Sequence, residues 1–334
     1  MKKGLIIMNK DFVDLVYPEK VREEIESLAD IYEEPLSREQ VKENPEIVKD
    51  AEIIFSGWDG PRMDKAFLDA APNLKALFYA AGTVKPLLTD AVWERNLTIT
   101  AAGKANAVPV VEYTLSQILF SLKDGWNFVN NIKKEKHYPK KPYYHVSGAF
   151  GSTVGIISLS TIGKKVAEIL KQFDVNVLAY DPFADKSVAE ELNVELCSIE
   201  DIFATADVVS LHAPLLSETR GLIRGSHFRS MKKNASFINT ARGEIVMEAE
   251  MVEVLQERDD ITAILDVTFP EPPEESSLLY TLPNIILTPH IAGSEGKECG
   301  RLGSYMLEEF KRYIEGKNLK WQVMKEQYAT MPEN

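Results

Sequence analysis

Short, largely apolar runs alternate with segments of helical periodicity along the first third of the chain. The runs at 5–8, 52–55 and 74–79 are typical of buried strands. The stretches at 19–28 and 64–71 repeat apolar residues at the spacing of one helix face. Strands and helices that alternate at this length predict a parallel sheet covered by helices.

A second alternating series runs from residue 153 to residue 287. Between the two series lie a long helical pattern at 108–122 and a stretch at 127–151 that is rich in Lys and Tyr. No regular element is predicted for that polar stretch. A last helix, expected at 297–315, carries four apolar residues on one face: Met306, Leu307, Phe310 and Ile314. A chain of 334 residues is too long for one ordinary core, so two α/β domains are expected.

Composition and charge narrow the classes of protein that fit. The net charge of −13 argues against nucleic acid as a partner, because such binding needs a basic surface. The two cysteines, Cys197 and Cys299, lack metal-ligand spacing, so free thiols and no metal site are expected. No apolar run approaches the ~20 residues of a membrane span, and Met1 leads into a short strand instead of a signal sequence. We therefore expect a cytoplasmic protein without a membrane partner.

Three polar residues suggest where the chemistry takes place. Arg242, Glu271 and His290 each follow a short apolar run that reads as a strand, at 235–238, 262–267 and 285–287 respectively. Residues at the carboxyl ends of parallel strands converge on the crevice where ligands bind. Arg can grip a carboxylate with two hydrogen bonds, and His exchanges protons near neutral pH. A carboxylate beside the His would hold its tautomer and favour its charged form. Each residue alone has an ordinary explanation as a loop residue, but together they predict redox chemistry on a 2-hydroxy or 2-oxo acid.

The motifs around these residues resemble those of a known family. The chain reads N-T-A-R-G at 239–243, L-D-V-T-F-P-E-P-P at 265–273 and L-T-P-H-I-A-G at 287–293. Further upstream it reads V-V-S-L-H-A-P-L-L-S-E-T at 208–219 and A-N-A-V-P-V-V-E-Y at 105–113. These segments resemble the D-isomer-specific 2-hydroxyacid dehydrogenases, and the resemblance covers nearly the whole chain.

The resemblance implies an α/β fold of two doubly wound, parallel-sheet domains with a cleft between them. A discontinuous, flavodoxin-like substrate domain is expected at 1–104 plus 294–334, and a Rossmann NAD-binding domain at 105–293. The implied reaction is hydride transfer between NAD and a small D-2-hydroxy acid or 2-oxo acid. His290 would act as the acid and base with Glu271 behind it, and Arg242 would bind the carboxylate and polarise the carbonyl.

The nucleotide fingerprint departs from the family pattern Gly-x-Gly-x-x-Gly. This chain reads Ser158, Leu, Ser160, Thr161, Ile162, Gly163, so only the third glycine is present. Serine at the first position costs on the order of 1–2 kcal/mol if the turn needs a left-handed conformation. Serine at the second position places a hydroxyl where phosphate oxygens approach. Two outcomes follow: retained dinucleotide binding, or a site that the serines close.

Asp181 favours retained binding. It ends the predicted strand at 175–180, and 181 − 163 = 18 positions separate it from Gly163. This is near the ~20-residue offset of the acid that binds the ribose hydroxyls in such folds. Its carboxylate would repel a 2′-phosphate, so NAD is expected in preference to NADP.

The remaining site residues are implied by the resemblance alone. The further cofactor contacts would be His212, Pro214, Thr219, Thr240, Ala241 and Asp266. The substrate carboxylate would be held by the backbone of Ala81, Gly82 and Thr83 together with Arg242. Relatives are usually homodimers, and the segment at 127–150 would embrace the partner.

Two alternatives stay open on the sequence. The degraded glycine motif also fits an NAD-sensing or non-catalytic scaffold, as in the C-terminal-binding protein corepressors of this family. If the chain is an enzyme, its substrate could be 3-phosphoglycerate, glyoxylate or hydroxypyruvate, and the sequence does not choose among them.

Overall fold

The computed structural model describes residues 1–329 and Met331. Residue 330 and residues 332–334, which the predicted substrate domain includes, lie outside this range. The strands are β1 (Lys2–Ile7), β2 (Ala29–Ile31), β3 (Ile53–Ser56), β4 (Ala76–Tyr79), β5 (Thr98–Ala101), β6 (Thr153–Ile157), β7 (Asn176–Tyr180), β8 (Glu195–Leu196), β9 (Val208–Leu211), β10 (Ser236–Asn239), β11 (Thr262–Leu265) and β12 (Ile285–Leu287).

The helices cover the strands on both faces and connect them in the order of the chain. They are α1 (Val13–Val16), α2 (Glu19–Leu28), α3 (Arg38–Glu43), α4 (Lys65–Ala70), α5 (Asp90–Glu94), α6 (Gly103–Ser121), α7 (Gly125–Glu135), α8 (Thr161–Leu170), α9 (Lys186–Leu192), α10 (Ile199–Thr205), α11 (Gly225–Ser230), α12 (Glu248–Glu257), α13 (Cys299–Ile314) and α14 (Lys325–Ala329). No helix within residues 1–329 has the length and apolar character needed to cross a membrane.

The chain forms two compact units, which differ in strand order. Unit 1 comprises Met1–Ala107 and Ser294–Asn334, and unit 2 comprises Val108–Gly293. The sheet of unit 1 has the parallel order β2-β1-β3-β4-β5, and the sheet of unit 2 has the parallel order β12-β11-β10-β9-β6-β7-β8. These are the flavodoxin-like and Rossmann orders, so the predicted fold class is confirmed. The family resemblance draws the domain boundaries at 104/105 and 293/294.

Apolar side chains fill both faces of each sheet, because parallel strands flanked by helices are buried on both sides. In unit 1, aromatic rings of Phe55, Phe78 and Phe310 pack against each other beneath α13. Met306 and Leu307 are buried as predicted, whereas Ile314 at the end of the helix is exposed. In unit 2, Phe203, Phe228 and Phe237 form the corresponding aromatic cluster.

The segment from 127 to 151 is where the predicted elements are wrong. Its first part belongs to helix α7, which begins at Gly125 without a side-chain cap because Asp124 adopts a left-handed conformation. Tertiary contacts hold this helix. Asn127 donates to Thr262 Oγ1 at 3.2 Å, and Asn130 donates to the carbonyl of Pro283 at 3.2 Å. The sequence lacks the usual signals for a helix start, and packing supplies the stability instead.

Candidate active site

The predicted catalytic and nucleotide residues of unit 2 lie on loops that follow six strands. These strands are β6, β7, β9, β10, β11 and β12. Because all strands of the sheet are parallel, their carboxyl ends meet at one edge, where α/β sheets bind ligands. The structure therefore places these residues at a single edge of unit 2.

The loop after β10 presents Arg242. The buried side chain of Asn239 shapes this loop, since its Oδ1 accepts the N–H of Ala241 at 2.9 Å and its Nδ2 donates to the carbonyl of Arg242 at 3.0 Å. Burial lowers the pKa of Arg242, while the charges of Glu271 and Glu244 raise it. Arg242 is therefore a partly desolvated cation whose charged form is favoured by Glu271. Such a cation is a good anion-binding group.

Gly243 brings the loops after β10 and β11 into direct contact. A Cβ atom at Gly243 would lie 2.1 Å from the carbonyl carbon of Thr268 and 2.6 Å from the nitrogen of Phe269. No side chain fits at such distances. Glycine at this position thus allows the backbone that carries Arg242 to pack against the backbone that leads to Glu271.

His290 and Glu271 form a hydrogen-bonded pair. Nδ1 of His290 lies 2.7 Å from Oε1 of Glu271. An ionised carboxylate only accepts hydrogen bonds, so Nδ1 carries the proton and Nε2 is the nitrogen that can exchange one. The side chain of His290 is 46% exposed and that of Glu271 is 43% exposed, so a small ligand can reach the ring.

Asp266 holds the loop that carries His290. This buried carboxylate accepts the hydroxyl of Thr288 at 2.6 Å and the N–H groups of Ile291 and Ala292 at 2.9 and 2.8 Å. His290 has a left-handed φ of 57°, a conformation that surrounding contacts must enforce in a residue other than glycine. Its own N–H donates to the carbonyl of Asp266 at 2.9 Å. Asp266 therefore fixes the strained backbone at the histidine.

Tyr113 extends this network, and sequence reasoning gave it no role. Its hydroxyl lies 2.8 Å from Oγ1 of Thr288. Because Thr288 donates its proton to Asp266, Tyr113 is the donor in this contact. The only sequence signal is its place at the end of A-N-A-V-P-V-V-E-Y.

The loop after β6 retains the geometry of an anion site despite its two serines. Ser158 adopts a left-handed φ of 77°, which costs on the order of 1–2 kcal/mol in a residue other than glycine. A Cβ at Gly163 would lie 2.0 Å from the carbonyl oxygen of Ser158, so only glycine fits there. Within residues 1–329, the N–H groups of Thr161, Ile162 and Gly163 make no hydrogen bond. Three such donors at a helix N-terminus suit a pyrophosphate.

Asp181 lies at the end of β7, where the ribose-binding acid is expected. Its Oδ2 accepts the N–H of Leu159 at 2.7 Å, and its Oδ1 accepts the N–H of Phe183 at 2.9 Å. The carboxylate is half-buried, and these two hydrogen bonds fix its orientation. No cation follows it, since Pro182 and Phe183 come next.

The side chains of three further predicted cofactor residues are engaged within unit 2. His212 is buried, and burial lowers its pKa to about 3. It is thus neutral near pH 7, with Nε2 lying 2.9 Å from the hydroxyl of Ser210. The hydroxyl of Thr219 donates to the carbonyl of Pro214 at 2.6 Å, and that of Thr240 lies against Thr114. These side chains shape their loops, and His212 is unsuited to carry protons.

The predicted substrate loop of unit 1 follows β4. Ala80 still pairs with the sheet, but the N–H groups of Ala81 and Gly82 make no hydrogen bond in the described part of the chain. Adjacent N–H groups of this kind can bind an anion. Asn106, which sequence reasoning missed, accepts the N–H of Ser294 through Oδ1 at 2.9 Å. Its Nδ2 consequently faces Gly82, 3.7 Å from where a Cβ would stand.

Comparison with known proteins identifies the family. Residues 115–292 match the model described as D-isomer specific 2-hydroxyacid dehydrogenase, NAD binding domain. The chain belongs to the D-isomer specific 2-hydroxyacid dehydrogenase family. The resemblance inferred from the motifs is thereby confirmed. The matched domain is the NAD-binding domain of the family, and the Gly163 loop and Asp181 fit NAD as its cofactor.

Individual members of the D-isomer specific 2-hydroxyacid dehydrogenase family are similar over much of the chain. The D-3-phosphoglycerate dehydrogenase of Methanocaldococcus jannaschii is 31% identical over 282 residues, which is 84% of this chain and 52% of that protein. The chain thus spans about half the length of the curated relatives it matches.

Two solved structures share the fold. A phosphoglycerate oxidoreductase from Rhizobium etli is 20% identical with a TM-score of 0.81, over 98% of this chain and 99% of that one. A D-isomer specific 2-hydroxyacid dehydrogenase from Lactobacillus delbrueckii, in its NAD complex, is 21% identical with a TM-score of 0.79, over 96% of this chain and 100% of that one.

Among the described residues, no cluster of three or more His, Cys, Asp or Glu side chains is arranged to hold a metal ion.

Proposed function

We propose that the chain is an NAD-dependent D-2-hydroxyacid dehydrogenase that acts on the CH–OH group of a small 2-hydroxy acid and reduces the 2-oxo acid in reverse. The observation that carries this proposal is the hydrogen-bonded pair of His290 and Glu271, whose Nδ1 and Oε1 atoms lie 2.7 Å apart. The charge of the same Glu271 also raises the pKa of Arg242. When bound, NAD supplies the hydride acceptor, and in its reduced form the donor.

His290 is proposed to move the proton. In reduction of a 2-oxo acid, the charged imidazole gives the proton on Nε2 to the oxygen that becomes the hydroxyl. In oxidation the neutral ring takes it back, so the two directions use the same atom. Glu271 keeps the proton on Nδ1 and balances the charge of the imidazolium. Asp266 keeps the ring where this exchange can occur.

Arg242 is proposed to bind the substrate carboxylate and to polarise the neighbouring carbonyl. Its burial strengthens both effects, because a charge acts more strongly where water is excluded. The backbone of Ala81, Gly82 and Thr83 is proposed to bind a carboxylate through N–H donors. The amide of Asn106 adds a neutral donor beside Gly82.

The cofactor residues are proposed from the geometry of unit 2. The N–H groups of Thr161, Ile162 and Gly163 would hold the pyrophosphate, and Asp181 would hold the adenosine ribose. The loops that carry Thr240, Ala241 and Asp266 would meet the nicotinamide end, and His212, Pro214 and Thr219 would shape the nucleotide side.

Replacement of Arg242 tests the proposed function. Arg242→Ala should lower kcat and raise KM for a 2-oxo acid, together by about 100-fold or more in kcat/KM, while the Kd for NADH stays within about twofold. Arg229→Ala is the matched control, because Arg229 lies on α11 and pairs with Glu253 and Glu257 on the surface. Near-normal kinetics in Arg242→Ala would refute the assignment.

The substrate is proposed only as a class. The curated relatives are D-3-phosphoglycerate dehydrogenases, so 3-phosphoglycerate is one candidate. Glyoxylate and hydroxypyruvate fit the same chemistry, because each offers a carboxylate next to a carbonyl for Arg242 and His290.

A homodimer in the cytoplasm is proposed as the working form. The segment that follows α7 exposes three aromatic residues, Tyr138, Tyr144 and Phe150. Exposed aromatic residues of this kind are common at protein interfaces. Cys197 and Cys299 are free thiols, as expected in a reducing compartment. Size-exclusion chromatography with light scattering tests the dimer, and a clean monomer would refute it.

A further inference from the structure

The two serines that replace glycines in the nucleotide loop each make a hydrogen bond to a neighbouring strand-end loop. The hydroxyl of Ser158 donates to Oδ2 of Asp181 at 3.3 Å, after β7. The hydroxyl of Ser160 donates to the carbonyl oxygen of His212 at 2.9 Å, just after β9. Because β7 and β9 are the two neighbours of β6 in the sheet, the loop is tied on both sides.

The bond from Ser160 keeps its side chain out of the anion site. A serine at the first position before a helix ordinarily accepts an N–H of the first turn. Ser160 occupies that position before α8, yet its side chain makes no such capping bond. Since the hydroxyl is committed to His212, the first N–H groups of the helix remain available to a phosphate.

The bond from Ser158 acts on the ribose-binding carboxylate. Asp181 receives Ser158 and the N–H of Leu159 on Oδ2, and the N–H of Phe183 on Oδ1. A carboxylate can accept about four hydrogen bonds, so acceptor capacity remains for a ribose hydroxyl. The three donors hold it in one orientation.

We infer that Ser158 and Ser160 are positioning residues for NAD. Through their hydroxyls they hold the phosphate loop and Asp181 ready for the nucleotide, where relatives rely on the absence of side chains. The left-handed backbone at Ser158 is the stability cost of this arrangement. The inference rests on the proposed use of NAD by this loop, and it reverses the simpler expectation that the serines obstruct the site.

Paired substitutions separate the hydroxyl from the Cβ atom. Ser158→Ala and Ser160→Ala remove only the hydroxyl, whereas Ser158→Gly and Ser160→Gly restore the family residue. The Kd of the full chain for NADH and NADPH is measured by energy transfer from its tryptophans, and the thermal unfolding midpoint is measured without nucleotide. Ser230→Ala is the matched control, because the hydroxyl of Ser230 also donates to a backbone carbonyl, at 2.8 Å, on the surface of unit 2.

The alanine variants should each bind NADH about three- to tenfold more weakly, the range expected for one lost hydrogen bond. Ser158→Ala should also narrow the preference for NADH over NADPH, since Asp181 loses a fixing contact, and a general loss of packing would leave that ratio unchanged. Ser158→Gly should raise the unfolding midpoint, because the left-handed strain is relieved, and should still weaken NADH binding. Stability and affinity would then move in opposite directions.

Equal or tighter NADH binding by the alanine or glycine variants would overturn the inference, because the serines would then be neutral or obstructive. Absence of NADH binding by the wild-type chain would overturn it too, whether or not the double Ser→Gly variant binds. A wild-type chain that binds NADH but reduces no 2-oxo acid would refute the proposed dehydrogenase instead. The comparison of Kd values would still decide the role of the serines.

Discussion

Two proposed regions lie at the same edge of unit 2 but are held in different ways. They are the proposed catalytic cluster of Arg242, Glu271 and His290 and the proposed nucleotide loop at 158–163. Steric exclusion at Gly243 and the hydrogen bonds accepted by the buried Asp266 side chain fix this cluster. Hydroxyl bonds from two serines tie the nucleotide loop. Proton transfer requires one donor atom in a fixed position, whereas an anion can be bound by any set of hydrogen-bond donors that converge on it. The family motif is therefore retained in the first region and replaced in the second.

The largest expected effect comes from removing His290, the proposed proton carrier. His290→Ala should lower kcat by about 10²- to 10⁴-fold, the usual contribution of general acid–base catalysis. The Kd for NADH should stay within about twofold. Glu271→Gln, which keeps an acceptor for Nδ1 but not the charge, should lose less. Steady-state kinetics and NADH titration measure both, and a His290→Ala variant with wild-type kcat would remove the histidine from the mechanism.

Gly243→Ala tests whether steric exclusion holds the catalytic cluster. The new methyl group has no space against Thr268, so the loops of Arg242 and Glu271 must separate. We expect a loss of about 1–3 kcal/mol in the free energy of unfolding, typical of overpacking, and at least a tenfold fall in kcat/KM. Gly316→Ala is the control, since nothing lies within 4 Å of a Cβ there and only a stability change is expected. Full activity in Gly243→Ala would show that the close approach is dispensable.

Asp266→Asn tests the buried carboxylate group that holds the His290 loop through three accepted hydrogen bonds. The amide has only one oxygen and cannot accept all three hydrogen bonds that the two carboxylate oxygens accept. The left-handed backbone at His290 should therefore relax. We expect kcat to fall about tenfold or more. Tyr113→Phe removes the outer member of the same network and should cost less than Asp266→Asn. A larger loss of kcat in Tyr113→Phe than in Asp266→Asn would show that Tyr113, and not Asp266, is the main support of the His290 loop.

The last expected effect is on the stability of the fold and comes from His212. Its pKa in the folded chain, about 3, lies below the ordinary 6.5, so between these values the unfolded chain binds a proton that the folded chain excludes. The stability this provides is complete above about pH 6.5 and is lost as the pH falls. Between pH 6.5 and 5 the loss should be roughly 2 kcal/mol. Denaturant unfolding of wild type and His212→Gln at several pH values checks this, and parallel pH curves would contradict it.

The fold class, and the grouping of Arg242, Glu271 and His290 at one edge of the sheet, could be predicted from the sequence for related reasons. Alternating apolar runs specify parallel strands, and parallel strands bring their following residues to one edge. Arg242, Glu271 and His290 each follow such a run, so topology alone places them together. The contact between His290 and Glu271 at 2.7 Å is the detailed form of that expectation.

Other features depend on tertiary contacts that no local pattern reports. Helix α7 lacks a capping signal and is held by bonds from Asn127 and Asn130. The facing of Asn106 toward Gly82 follows from a bond to Ser294, far along the chain. The sequence left open whether the backbone at Ser158 is left-handed, as the structure shows, or extended. The loop around this residue sets its conformation.

The proposed dehydrogenase activity is tested best by the reaction itself. NADH oxidation by the wild-type chain is followed with glyoxylate, hydroxypyruvate and 3-phosphohydroxypyruvate, alongside an aldehyde that lacks the carboxylate. We expect turnover of at least one 2-oxo acid, loss of that turnover in His290→Ala, and no turnover of the aldehyde. Saturable NADH binding with no turnover of any 2-oxo acid would contradict it, and would favour a nucleotide-sensing scaffold instead.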